Sequence, residues 1–309
     1  MEIYEADFVN NANLQEICES KQPVVVNMSV AASGFFKHLS LPRFLSIGAS
    51  YPVIVRDIDD YNNTSESSVD CIALPFKTAM KLFNSDAKSR FFSDLNSEFV
   101  EESGLVDDMM DLDEYLKPSM TVQTKYDIMF GSKKSHTPLR YSTHTRKFIV
   151  VSSGKIIVKM TPFKSTKYLH EVRDYENYEF RSEIDVWTPQ PRFVDDLERV
   201  KFIEFDVCEG SALYIPAYWW YSIKYADNND TCLLGYTYST IMNRLANLPD
   251  IGIHVMQIQN TVVKTSKEHP LRIGDEDDGD NIEHSGDKNA ESDEGVIKMT
   301  PETIDGQNE

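Results

Sequence analysis

The chain has 309 residues, 41% of them apolar, and a formal net charge of −19. That length suits one large β-rich domain with helical additions, or two small domains, and the apolar share is enough for a sizeable core. No apolar run reaches the about 18 residues of a membrane span, the acidic start lacks the apolar stretch of a secretory signal, and the surplus of acid disfavours nucleic-acid phosphates as partners. The expectation is a cytosolic or nuclear protein with neither a membrane nor a nucleic-acid partner.

Residues 1–130 mix short helices and strands. Residues 11–20 suit a short helix, and 23–28 a strand. Residues 35–47 read as a helix interrupted at Pro42, and 51–56 as a strand. Residues 75–83 read as a helix with Pro75 at its start, where the missing N–H costs little. A loop rich in Asp and Glu is expected from there to about Asp113.

From Tyr126 to Ser239 the pattern changes to short β-rich runs broken by turn residues: 147–151, 155–160, 201–207, 212–215, 219–225 and 231–238. Many short strands at this spacing predict a sandwich or barrel. Residues 168–196 are polar and aromatic and read as an insertion between barrel strands. Over 240–265 the pattern turns helical: Ile251, Val255, Ile258 and Val262 fall at helical spacing, with Met256 and Val263 alongside. Such an amphipathic helix packs on the barrel or on its copy in a homodimer. Residues 274–309 hold thirteen Asp or Glu and two Lys, a net −11 that leaves −8 for the rest, and contain no aromatic residue. They read as a disordered acidic tail. Cys18, Cys71, Cys208 and Cys232 form no C-x-x-C pair, so reduced, mostly buried thiols are expected.

Two stretches carry a family resemblance. In the first, Phe130-Gly131 is followed by Thr137-Pro138-Leu139-Arg140-Tyr141-Ser142. The second is Glu209-Gly210-Ser211-Ala212-Leu213-Tyr214-Ile215-Pro216-Ala217-Tyr218-Trp219-Trp220-Tyr221. They resemble the JmjC and cupin-like segments in which Gly and Thr-Pro-Leu precede His-x-Asp, and in which Gly-Asp-x-Leu-Tyr-Ile-Pro precedes Trp-Trp-His. The subgroup they look most like includes the asparaginyl hydroxylase that inhibits hypoxia-inducible factor. The resemblance covers roughly residues 1–265. It implies a mainly β, α+β fold: a double-stranded β-helix, or jelly roll, with its barrel core at about 126–239, N-terminal helices and strands, and a C-terminal helical segment at about 240–265.

That family binds Fe(II) through two His and one carboxylate and leaves the opposite face open for 2-oxoglutarate and O₂. Carried onto this chain, the three ligand positions are Arg140, Ser142 and Tyr221. A guanidinium stays protonated and has no lone pair for a metal. Thr137 matches the threonine that helps hold 2-oxoglutarate. The co-substrate lysine falls on Ile156, with Lys155 one place away, and a one-residue slip reverses the facing of a strand side chain. Thr137, Tyr141, Trp219 and Trp220 are expected around the pocket. The resemblance therefore implies a binding or structural module that has lost catalysis, takes no cofactor and has a protein or peptide partner. Arg140 would sit in an internal ion pair or hold an anionic ligand. The alternative is an active 2-oxoglutarate-dependent hydroxylase or demethylase with a non-standard metal site, built from His144 with Asp174 or Glu171.

Overall fold

The computed structural model describes residues 3–63, 68–227 and 231–268. The acidic stretch from 274 lies outside the described residues. Residues Met1–Thr265 form one compact unit.

The chain opens with β1 (Tyr4–Asp7), α1 (Asn11–Glu19), β2 (Val24–Asn27), α2 (Ser33–His38), α3 (Leu41–Gly48), β3 (Pro52–Asp57) and α4 (Ile58–Asn63). It continues through β4 (Ile72–Pro75), α5 (Phe76–Ser85), β5 (Phe91–Ser93), α6 (Ser97–Glu102), α7 (Val106–Met110) and α8 (Asp113–Leu116). The β-rich half holds β6 (Thr121–Gly131), β7 (Arg140–Tyr141), β8 (Arg146–Ser153), β9 (Lys155–Thr161), β10 (Glu171–Asp174) and β11 (Glu179–Ser182). After α9 (Val194–Leu197) come β12 (Ile203–Cys208), β13 (Ser211–Pro216), β14 (Trp220–Tyr225) and β15 (Cys232–Thr240), and then α10 (Ile241–Ala246) and α11 (Leu248–Glu268).

The fold is α+β with two large, mostly antiparallel sheets. The larger runs β1-β2-β13-β8-β15-β6-β5-β3-β4, and the smaller β10-β11-β7-β14-β9-β12. Neither closes on itself among the described residues, so the expected barrel is two open sheets sharing a core. β8 shows why its sequence reads as an unbroken apolar run. Ile149 and Val151 point between the sheets, where they meet Ile156, Val158, Met160 and Ile223 of the smaller sheet. Phe148 and Val150 point the other way, onto a second core that includes Phe44 of α3, Phe76 of α5 and Phe99 of α6. Both faces of β8 are thus covered over 148–151, and all four side chains there are apolar. A third cluster, with Leu139, Phe180 and Trp220, lies on the outer face of the smaller sheet.

Several local expectations need correction. The helix expected over 35–47 is two helices that part at Leu39 and Ser40, while Pro42 sits in the first turn of α3, where a helix tolerates it. The acidic stretch before Asp113 is not a loop: it folds as β5, α6 and α7 around the buried apolar residues Phe92, Phe99, Val100, Leu105 and Met109. The insertion at 168–196 carries β10 and β11, which extend the smaller sheet beside β7. The C-terminal helical segment is broken at Asn247, whose side chain donates to the Thr143 carbonyl (3.1 Å). Along α11, Ile251 is half-buried, whereas Val255, Met256 and Ile258 are exposed. The side chains of Val262 and Val263 lie outside the described residues. All four cysteines are free; Cys18 and Cys232 are buried, but Cys71 and Cys208 are exposed. Among the described residues no helix is long and apolar enough to cross a membrane.

Candidate functional site

Arg140 on β7 is register partner to both Tyr221 on β14 and Arg181 on β11. Cross-strand partners face the same side, and the Arg140 guanidinium lies 5.9 Å from the centre of the Tyr221 ring. It hydrogen-bonds Asp94, just past β5, and Glu179 Oε1 on β11 at 3.0 Å. A second arginine completes the group. Arg56 Nε on β3 lies 3.1 Å from Asp94 Oδ1, and Arg56 Nη1 lies 3.8 Å from Glu179 Oε2. Tyr61 of α4 accepts from Arg56 and donates to Glu179 (3.3 Å). Two cations and two carboxylates thus sit together, none more than 6% exposed. Burial pushes the Asp94 carboxyl up, but Arg140 and Arg56 outweigh it and hold the group below the usual carboxylate range. Burial likewise works against the Arg140 charge, and Asp94, Tyr221 and Glu179 override it, so Arg140 stays protonated.

The larger sheet supplies the opposite wall. Thr237 on β15 is flanked in register by Lys125 on β6 and Lys147 on β8, and the next row on that face is Asp127, Gly235 and Ile149. Glycine is needed in the second row: a Cβ on Gly235 would stand 2.9 Å from that of Asp127. Asp127 accepts from the backbone N–H groups of Leu95 (3.0 Å) and Asn96 (2.7 Å). Its carboxyl is enclosed although the residue is partly exposed, and burial, aided by nearby Asp94, pushes it up to about 6. A cavity of about 250 Å³ lies between these walls.

Of the residues singled out from sequence, Arg140, Tyr141, Ser142, His144 and Tyr221 line this cavity. The three positions that the resemblance assigns to iron ligands therefore line one cavity. The ring of Tyr141 belongs mainly to the outer cluster, stacked on Phe180 at 5.2 Å. Thr137, Trp219 and Trp220 do not line the cavity, contrary to expectation. The Thr137 hydroxyl is buried and accepts from the Ile223 N–H (3.0 Å), tying the chain before β7 to β14. Successive residues alternate in facing, so Trp219 joins the core between the sheets and Trp220 the outer cluster.

Ile156 is buried in the inter-sheet core, while Lys155 points outward and pairs with Asp206 (2.6 Å). His144 Nδ1 bonds the Ser239 hydroxyl (2.9 Å), and burial lowers its pKa to about 4. Asp174 caps its own turn through the N–H groups of Glu176 and Asn177, and Glu171 serves Tyr141 and Arg173. The alternative set of His144 with either carboxylate is not assembled. Among the described residues no three His, Cys, Asp or Glu side chains are grouped to hold a metal ion.

The donor set does not fit Fe(II). Of the three positions the resemblance assigns, one presents a permanent cation, one a serine and one a tyrosine ring, while Asp94 and Glu179 are committed to arginines and Asp127 accepts from two backbone N–H groups. The position that the resemblance gives to the 2-oxoglutarate lysine holds an isoleucine, and the threonine it matches is spent on a backbone N–H. Sequence reasoning missed Arg56, Asp94, Asp127, Lys147 and Glu179. Arg56 alone left a signal, a charged residue ending the apolar run Val53-Ile54-Val55. No family model matches the chain, and no curated protein matches it.

Proposed function

We propose that the chain is a JmjC-like double-stranded β-helix that has given up iron chemistry and works as a binding module for a protein or peptide. Support for the winding comes from strand order. Strands β6, β8, β13 and β15 lie in one sheet and β7, β9, β12 and β14 in the other, so the chain crosses between them at every step of this set except that from β9 to β12. Support for lost catalysis rests on one observation: where the aligned iron ligands would converge, Arg140 is locked to Asp94 and Glu179. A buried, neutralised ion network fills the electrostatic role of a metal without offering an open coordination position.

The test is metal content together with thermal unfolding. The purified protein should retain no stoichiometric iron, and Fe(II) with 2-oxoglutarate should leave its Tm unchanged. A ligand present at 100 times its Kd would add about 2.7 kcal/mol, which such a scan resolves. Stoichiometric Fe(II) with turnover that disappears in His144→Ala would overturn the reading.

The C-terminal helices favour self-association as a further part of this reading. Met242, Leu245, Leu248, Val255, Met256 and Ile258 are all at least 41% exposed, and apolar groups clustered at a surface mark an interaction site. Light scattering should give the mass of a dimer, and Met256→Asp should shift it to that of a monomer. A monomeric native protein at about 100 μM, a concentration ample for micromolar affinity, would remove the homodimer.

A further inference from the structure

We propose that the cavity receives one carboxylate, carried by an acidic peptide side chain, between the ammonium groups of Lys125 and Lys147 and over the Thr237 hydroxyl. This rests on the binding-module reading and names what the module binds. The starting point is that Arg140 is unavailable. Asp94 and Glu179 already take its charge, and separating them from it would leave two buried carboxylates with Arg56 as their one cation.

The two lysines are in a different position. Both line the cavity, and among the described residues neither has a carboxylate at ion-pair distance. The Lys147 ammonium rests 5.4 Å from the centre of the Tyr221 ring, the same ring that Arg140 approaches. Asp127 is near enough to be influenced by Lys147, but its two oxygens are occupied by backbone N–H groups. Register places Lys125 and Lys147 one strand to either side of Thr237. Their backbones are therefore about 10 Å apart, and four-carbon stems can bring both ammonium groups to one anion above the hydroxyl.

The charge count decides the sign and valence of the guest. Among the residues that line the cavity, Arg140, Lys125 and Lys147 face Asp127 and Glu179, a surplus of one positive charge inside a chain of net −19. One surplus charge matches a carboxylate. A phosphate dianion would exceed it, and no guanidinium fork is open to take one. Size points to a side chain. At about 250 Å³ the cavity is below the roughly 300–1,000 Å³ that houses drug-sized ligands, and the exposed Leu95 stands at its wall to meet the rest of a peptide.

The test uses the full chain with its lysines reductively ¹³C-methylated, which preserves their charge. The probes are acetyl-Ala-Glu-Ala-amide, its Gln counterpart and inorganic phosphate. The two methyl resonances lost in Lys125→Gln and Lys147→Gln should move saturably with the Glu peptide and stay still with the Gln peptide. Each substitution should weaken binding about tenfold or more, while Lys155→Gln, on the outward face, should not change it. Equal response to the Gln peptide, tighter binding of phosphate, or no movement of either resonance would overturn the proposal. If the Glu peptide and Fe(II) with 2-oxoglutarate both fail to bind, this inference falls and the module reading stands. If Fe(II) with 2-oxoglutarate binds, the module reading itself falls.

Discussion

Replacing Arg140 with methionine should lower the unfolding free energy by about 3–5 kcal/mol at pH 7, the cost of breaking one partner out of a buried ion group. The lost pairing itself is the smaller part. Asp94 is wholly buried and would keep only Arg56, and Glu179 would keep Arg56 and Tyr61. Urea unfolding measures the loss, and its dependence on pH identifies the cause. In the native protein Asp94 titrates below its usual range, so its contribution is present above pH of about 4 and fades only as pH falls through the depressed native value. In the variant burial dominates and that pKa rises above the unfolded value, so protonation relieves the strain. The difference between the two proteins should therefore shrink from pH 7 toward pH 4. A deficit that is constant over this range would show that Arg140 acts through packing and not through charge. Arg140→Met combined with Asp94→Leu should recover part of the loss, because apolar replacement of a whole buried pair is often close to neutral.

Gly154→Val is expected to cost about 2–4 kcal/mol, adding left-handed backbone strain to overpacking. Gly154 joins β8 of the larger sheet to β9 of the smaller with φ +81°. A Cβ there would lie 2.6 Å from Thr231 Oγ1 and 2.9 Å from the Thr231 Cα. The hydroxyl could turn away; the backbone Cα could not. The carbonyl of Gly154 also accepts from the Glu209 N–H (3.0 Å), so a shift of this turn disturbs the approach to β13. Chemical denaturation of Gly154→Val against Gly252→Ala gives the contrast. Gly252 is helical with open space around its Cα, so alanine there should be neutral or stabilising by up to about 1 kcal/mol. Equal stability of the two variants would refute the account of the turn.

The strands of the β-rich half were legible because their own side chains declare them. Residues 212–215 read as a strand and the structure has β13 over Ser211–Pro216; 155–160 became β9, Lys155–Thr161. Arg140 and Tyr221 were brought together by the family resemblance alone, and it is the register of β7 and β14 that pairs them. What surrounds Arg140 was not legible. Asp94 and Glu179 lie 46 and 39 residues from it in sequence, in stretches that read as an acidic loop and a polar insertion. An acidic residue on a strand that is later covered looks the same in sequence as one left in water; only the fold of both segments distinguishes them. The lysine row was hidden for a related reason. Lys125 and Lys147 are ordinary strand charges until β15 aligns both with Thr237.

The order of strands in the larger sheet has a consequence for how the chain acquires its structure. The first hundred residues do not make a block of their own: β1 and β2 continue the sheet beyond β13, whereas β3, β4 and β5 continue it beyond β6. Val24 pairs with Tyr214, 190 residues later. During synthesis β2 therefore emerges long before its partner exists, with apolar faces and an unpaired backbone edge. Sheets built from such distant pairings form slowly, because loop closure comes before any reward from contact. The β1-β2 end of the sheet is thus a late-closing clasp, whereas β5 meets β6 soon after it, and until β13 arrives β2 keeps one backbone edge open to wrong pairing.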